Sequence, residues 1–223
     1  MRFYLLKLGC PKNDVDGDYL TGRLLADGHT LAHRPDDAEV MIVNTCAFIE
    51  EAKEESIDRL LELGLYREYD SNRKLFVTGC MAQRYADELR KEIPEIDGIF
   101  GLGEWEAIAS AMSTDRGIPT TRITESRLLT FKAGEHRYVD DQNGYEYLKI
   151  SDGCDRQCSY CVIPSVRGRF RSRPVDELVR EARYLAERGK QELILVSQDT
   201  TLYGRDLKDG TNLVGLLKAL DEI

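Results

Sequence analysis

The sequence predicts an α/β protein: a doubly wound parallel-sheet domain in the first half, followed by the opening of a second βα series. Three observations lead there. Short apolar runs of strand length alternate with stretches of helical periodicity along the chain. Three of the early strand runs are followed directly by cysteine, as though each strand delivered a thiol to the same edge. A polar, aperiodic stretch then intervenes before alternation resumes near Tyr145.

Each element follows from local pattern. RFYLLKL reads as a strand, and Leu20, Leu24 and Leu25 mark the buried side of a helix that follows Asp14 and stops near Gly28. VMIVNTC is a second strand, followed by Ile57, Leu60, Leu61 and Leu65 at helical spacing; KLFVTGC is the third. A helix from about Tyr85 to Glu92 stops before Pro94, the apolar run GIFG follows, and a further helix covers about Glu104 to Met112. The second series opens with the strand YEYLKI and a cysteine loop. Next comes the helix PVDELVREARYLAERG, with Pro174 at its start and Gly189 at its end. The strand ELILVS and the amphipathic NLVGLLKALDEI complete it. The expected domains are residues 1–118 and 143–223, joined by a connection over 119–142.

Composition limits the function classes. A chain of 223 residues with 42% hydrophobic residues builds a packed core, and no apolar run approaches the roughly 18 to 20 residues of a spanning helix. MRFYLLKLGC ends like a lipoprotein cleavage box, but Lys7 interrupts its few apolar residues. No membrane association is expected, and the location expected is the cytoplasm, where six cysteines stay thiols available for metal or redox chemistry. A net charge of −9 argues against broad nucleic-acid binding and suits a basic partner. The run RGRFRSR is a local exception. Arg167, Arg169, Arg171 and Arg173 surround Phe170 just after a cysteine loop, which favours anion binding near a cofactor.

The cysteines form two sets. Cys10, Cys46 and Cys80 each follow a strand, and carboxyl ends of parallel strands share the edge where ligands bind. One such cysteine is commonly a small buried apolar residue; three at equivalent ends, two of them after glycine, point to joint function. Cys154, Cys158 and Cys161 are spaced C-x3-C-x2-C, close enough for one metal centre. A structural zinc or a conventional four-iron cluster wants a fourth ligand, and residues 162–223 hold neither Cys nor His. His136 is one candidate for that place. The other reading is a four-iron cluster on three thiolates, with one iron open to an exogenous ligand.

The C-x3-C-x2-C spacing, with Tyr160 before the last cysteine and the whole placed after the first strand of a βα series, resembles the radical S-adenosylmethionine (SAM) superfamily. LGCPKNDVDGD, VNTCAFIEEAKEESID and VTGCMAQRY, with YLKISDGCDRQCSYCVIPSVRGRFRSRP, resemble the segments of a narrower group, the radical SAM methylthiotransferases. The resemblance implies two four-iron clusters, one on Cys10, Cys46 and Cys80 carrying the sulfur to be inserted, and one on Cys154, Cys158 and Cys161 whose open iron binds SAM. Two SAM molecules would be used per product, one for the methyl group and one for a 5'-deoxyadenosyl radical. A low-potential electron donor and a sulfur donor are implied as partners. Tyr160, Ser197 and Gln198 fall where SAM would lie; Asp199 and Thr200 adjoin them.

GCPKN and SQDTTLYG resemble the branch that modifies an aspartate β-carbon in small-subunit ribosomal protein number twelve. The alternatives are the tRNA-adenosine branch and a non-catalytic iron–sulfur electron carrier. The family core is an open (βα)6 barrel, of which 143–223 would be only the first part. The last helix should therefore be incompletely covered, and this chain alone is expected not to turn over.

Overall fold

The apolar runs do form strands. In the computed structural model, which describes residues 1–114, 120–124, 137–140 and 142–223, the first compact unit spans Met1–Ser126. Its elements in chain order are β1 (Arg2–Lys7), α1 (Pro11–Ala26), β2 (Thr30–Leu31), β3 (Val40–Thr45), α2 (Glu50–Tyr69) and β4 (Lys74–Gly79). They continue with α3 (Cys80–Arg84), α4 (Ala86–Glu92), β5 (Gly98–Phe100), α5 (Trp105–Ser113) and β6 (Thr120–Arg122). The six strands make one parallel sheet in the order β2-β1-β3-β4-β5-β6. The α/β expectation for this half is met. Every residue of β3 and β4 is buried, which is why Val40–Val43 and Leu75–Val77 are unbroken and not alternating apolar runs.

One face packs Leu20 and Leu24 of α1 and Ile108 and Met112 of α5 onto Phe3, Val40, Ile42, Phe76 and Phe100. Leu25, expected on the buried side of α1, is exposed. The other correction concerns α2. Leu60 is buried as expected, but Ile57, Leu61 and Leu65 are 40%, 50% and 63% exposed. The inner stripe is instead Ser56, Leu60, Leu63 and Gly64, at spacings of four, three and one. Ser56 meets its polar needs there by donating to Ala52 O at 2.8 Å and accepting from Cys46 N at 3.1 Å. Two serine- and glycine-bearing positions carry no hydropathy signal, so periodicity alone chose the wrong flank.

The connection expected over 119–142 is shared out. Thr120–Arg122 pairs with β5 in the sheet, and the division between units falls after Ser126. The second unit, Arg127–Ile223, contains β7 (Tyr145–Lys149), β8 (Ser151–Asp152), α6 (Ile163–Arg167), β9 (Arg171–Ser172), α7 (Val175–Glu187), β10 (Glu192–Val196) and α8 (Leu213–Leu220). β7 and β10 are parallel neighbours, Tyr145 to Lys149 opposite Glu192 to Val196, with α7 between them in sequence. Leu178 and Ala182 of α7, one helical turn apart, pack with Leu148, Ile150, Tyr203 and Leu216. Asn212 caps α8 by accepting from Gly215 N at 3.0 Å. Val214 and Leu217 of α8 stay exposed, in line with the expected incomplete cover.

Beneath the second cysteine loop lies a buried ionic network. Asp152 contacts Lys149 Nζ at 3.0 Å and Arg167 Nη1 at 3.1 Å, all three side chains being almost wholly buried. Glu181 holds Arg137 at 2.8 Å and Arg173 at 2.7 Å, and Arg137 also reaches Glu146 at 3.0 Å. Burial by itself raises the Asp152 carboxyl, but Lys149 and Arg167 outweigh it and hold the group far below the usual carboxylate range. Burial likewise opposes ionisation of Glu181, and Arg173 and Arg137 reverse its effect. The arginine run is thereby explained differently from the anion site expected of it. Arg167 and Arg173 neutralise internal carboxylates, exposed Arg169 pairs with Asp155 at 3.2 Å, and Arg171 donates to Arg167 O at 3.0 Å.

Two outcomes follow. Leu60→Ala should cost about 3 kcal/mol and Leu61→Ala less than about 0.5 kcal/mol, read from urea unfolding. Asp152→Asn should cost about 3 kcal/mol at pH 7, because it strands two buried cations. A depressed carboxylate stabilises the fold above its ordinary value of 3.8 and loses that contribution as pH falls towards the folded value. The parent should therefore melt progressively lower below about pH 4, and Asp152→Asn should flatten that acid limb in thermal melts.

Candidate functional site

In the first unit, strand order reverses its direction of growth at β1, so the crevice between β1 and β3 is the expected ligand position in a parallel sheet. The turns at the carboxyl ends of β1, β3 and β4 carry Cys10, Cys46 and Cys80. Cys46 and Cys80 are buried, and Cys10 is half-buried. Cys46 is held by Ser56, whose hydroxyl oxygen accepts from the Cys46 N–H at 3.1 Å and lies 3.1 Å from its carbonyl oxygen.

Two glycines make this crowding possible. Gly9 has φ +92°, and a Cβ there would stand 2.6 Å from Cys46 Cβ and 2.8 Å from its Sγ. Gly79 has φ +94°, and its Cβ would stand 2.4 Å from Thr45 O. The turns before Cys10 and Cys80 therefore approach β3 more closely than any side chain allows.

In the second unit, the cysteine loop leaves β8 and is pinned where it returns. Gly153 at φ +75° sits so close to Arg169 O that a Cβ would be 2.0 Å from it. Cys154 N donates to Gly168 O at 3.0 Å, and Phe170 N to Asp155 Oδ1 at 3.1 Å. The bond from Arg169 and that from Phe170 hold the Asp155 carboxyl below its ordinary range. Within the loop, Cys161 N donates to Cys158 O at 3.1 Å and Arg156 N to Cys154 Sγ at 3.4 Å. Cys154, Cys158 and Cys161 together line one open cavity of about 580 Å³, with Arg156, Gln157 and Pro164.

The carboxyl ends of β7 and β10 bring further polar groups to this unit's strand edge. Ile150 N donates to Val196 O at 3.0 Å, which sets Ser151 beside Ser197, and their hydroxyls are hydrogen-bonded. Asp199, held low by the Thr201 hydroxyl and then by Arg156, receives two bonds from the Arg156 guanidinium, at 3.0 and 2.8 Å. This ion pair ties the cysteine loop to the segment after β10. Gln198 stands apart from these pairings. Its Oε1 and Nε2 are both shielded from solvent, and neither has a hydrogen-bond partner. Tyr160 projects outward, 86% exposed. His136 lies outside the described residues.

Among the described residues, no three Cys, His, Asp or Glu side chains are gathered as a ready metal-holding group. The donor chemistry nevertheless fits iron–sulfur clusters: each unit offers three thiols outside any disulfide, the first set at a strand edge and the second around one cavity. The orphaned carboxamide of Gln198 fits a polar cofactor, since a buried amide without partners is costly unless something else binds it. Sequence reasoning named all six cysteines, Ser197 and Gln198; the structure places the first three after β1, β3 and β4, the second three around one cavity, and Ser197 and Gln198 directly after β10. It missed Ser56, Arg156 and Asp152 as supports, for which only their nearness to cysteine or strand ends in the chain gave any signal.

Comparison with known proteins agrees with this division. Residues 2–101 match a family described as "Uncharacterized protein family UPF0004", and residues 148–221 match the radical SAM superfamily. The ribosomal protein uS12 methylthiotransferase RimO of Myxococcus xanthus is 43% identical over 99% of this chain and 46% of its own length. That of Geotalea uraniireducens is 45% identical over 97% of the chain and 48% of its own, and that of Desulforudis audaxviator 46% over 98% and 48%. The chain thus spans about half the length of these curated relatives. In fold, it is similar to the radical SAM methyltransferase TsrM from Kitasatospora setae, with a TM-score of 0.52 at 16% identity, covering 99% of this chain and 50% of that one. Over 97–99% of its length the chain is similar to these uS12 methylthiotransferases, and its two thiol triplets fall within the two matched segments, residues 2–101 and 148–221.

Proposed function

We propose that this chain carries the cluster- and SAM-binding part of an enzyme that methylthiolates the β-carbon of an aspartate in ribosomal protein uS12. The observation that carries the reading is the pair of thiol triplets, one gathered at the carboxyl edge of the parallel strands β1, β3 and β4, the other lining one cavity within a single loop. Cys10, Cys46 and Cys80 would hold one four-iron cluster, and Cys154, Cys158 and Cys161 the other. When bound, the clusters and SAM supply the electron, the carbon radical and the sulfur that acid–base side chains lack.

The chain's own residues bind and orient. Gln198, whose carboxamide has no hydrogen-bond partner among the described residues, would donate to and accept from the polar groups of SAM, with Ser197 beside it, and Tyr160 would offer its ring from the cysteine loop. Asp152, clamped by Lys149 and Arg167, keeps the start of that loop fixed, and its Oδ1 accepts from Gly153 N at 2.9 Å. The Arg156–Asp199 pair holds the loop against the end of β10.

The net charge of −9 favours a basic polypeptide over tRNA as substrate. Six free thiols suit a reducing cytoplasm, and among the described residues no helix is long and apolar enough to cross a membrane. A low-potential electron donor and a sulfur donor complete the partners. The barrel portion here has two parallel strands, so we propose that this chain alone does not turn over.

Iron and acid-labile sulfide after anaerobic reconstitution test the reading. The expected result is two four-iron clusters in the parent and one in Cys10→Ala/Cys46→Ala/Cys80→Ala. One cluster in both would leave a single-cluster radical SAM protein, and zinc in place of iron would end the proposal. The full-length enzyme, given SAM and dithionite, should methylthiolate a uS12 peptide and leave tRNA adenosine unmodified; the opposite preference overturns the substrate. Gln198→Ala should weaken SAM binding about tenfold by equilibrium dialysis, the worth of one or two hydrogen bonds.

A further inference from the structure

Asn13 is fully buried and touches all three thiol-bearing turns of the first unit. Its Nδ2 donates to Leu8 O at 3.0 Å, just ahead of the Gly9–Cys10 turn, and to Thr45 O at 2.9 Å, just ahead of Cys46. Its Oδ1 faces Cys80 Sγ at 3.8 Å. Its backbone N–H donates to Cys10 O at 2.8 Å. The residue is itself held in place, because Asn44 Nδ2 donates to Asn13 O at 2.8 Å, and Leu8 N donates to Asn44 O at 3.0 Å.

The two carbonyls that Asn13 joins lie where β1 and β3 end and ladder pairing runs out. Buried carbonyls at such a place need a donor, and strand geometry does not provide one. A carboxamide suits the position. It donates twice from one nitrogen while presenting an acceptor on the other side of the same plane, whereas a carboxylate only accepts and a hydroxyl donates once. Nearby, the missing Cβ of Gly9 leaves room for this packing; one placed there would stand 3.7 Å from Asn13 Nδ2 and against Cys46.

We propose that Asn13 is a positioning residue: its carboxamide ties the end of β1 to the end of β3 and so sets the spacing at which Cys10 and Cys46, with Cys80 on the adjacent strand, meet one iron–sulfur cluster. The inference rests on the reading that these three cysteines hold a cluster. It goes beyond that reading by naming the residue that keeps their separation fixed, although it supplies no ligand. Loss of such a support around a metal site typically lowers affinity about 10- to 100-fold.

The test removes the second cluster first. A chain carrying Cys154→Ala, Cys158→Ala and Cys161→Ala is reconstituted anaerobically with iron and sulfide, with and without Asn13→Ala. Asn13→Ala should lose iron to a chelator at least about tenfold faster and change the electron paramagnetic resonance spectrum of the reduced cluster, with circular dichroism unchanged. Asn13→Asp, equal in shape but without donors, should behave in the same way. Asn13→Ser is the second variant should Asn13→Ala not fold, with the same direction of change expected. Unchanged iron loss and spectrum in a folded variant overturn the inference alone. Absence of iron in the Asn13-containing chain overturns the underlying reading and the inference with it, and loss of fold in every variant replaces positioning by a purely structural role.

Discussion

Parallel strand pairing is the constraint on which the rest depends. Because β1, β3 and β4 run the same way and are adjacent, whatever follows each of them arrives at one edge. The sequence uses that geometry by ending each run with a turn that holds a thiol, and glycines before two of the three remove the side chain that would keep the turns apart. The ladder itself is indifferent to the cysteines. Its stability comes from the buried faces of β3 and β4 and from the helices packed on them, so the edge is free to be specialised for binding.

The second unit solves the same problem with charge. Its cysteine loop is local, so no sheet brings the thiols together; rigidity has to be supplied at the loop's two feet. There the antiparallel pair β8 and β9 joins Ser151 to Ser172 and Asp152 to Arg171, and the Lys149–Asp152–Arg167 cluster lies directly beneath. Buried ion pairs add little net stability when well made, but an unmatched member is costly. Such a network therefore specifies one arrangement more than it deepens the energy well.

Strand runs and cysteine positions were legible in the sequence because both are local facts: apolar content over five or six residues, and a residue type just beyond it. The short β2, β8 and β9 were not, since two-residue strands exist only through their partners. The buried side of α2 was misread because Ser56 and Gly64 face the sheet while Ile57, Leu61 and Leu65 do not, an arrangement that hydropathy inverts. The arginine run failed for a related reason. Charge is visible in sequence, but the carboxylates that neutralise Arg167 and Arg173 lie outside the run, at Asp152 and Glu181, and only the fold brings them against it.

The two thiol triplets also differ in how they come into being. Cys154, Cys158 and Cys161 lie within one loop, so closing it brings them together at small entropic expense, before or without the rest of the fold. Cys10, Cys46 and Cys80 belong to three successive βα units and become neighbours only when the register of β1, β3 and β4 is set. A slip of one residue in β3 would turn Cys46 away from the Gly9 gap and leave no first site, while the second loop kept its three thiols. On the proposed reading, a cluster could form at the first site only once the sheet is in register, whereas the second loop needs no such step.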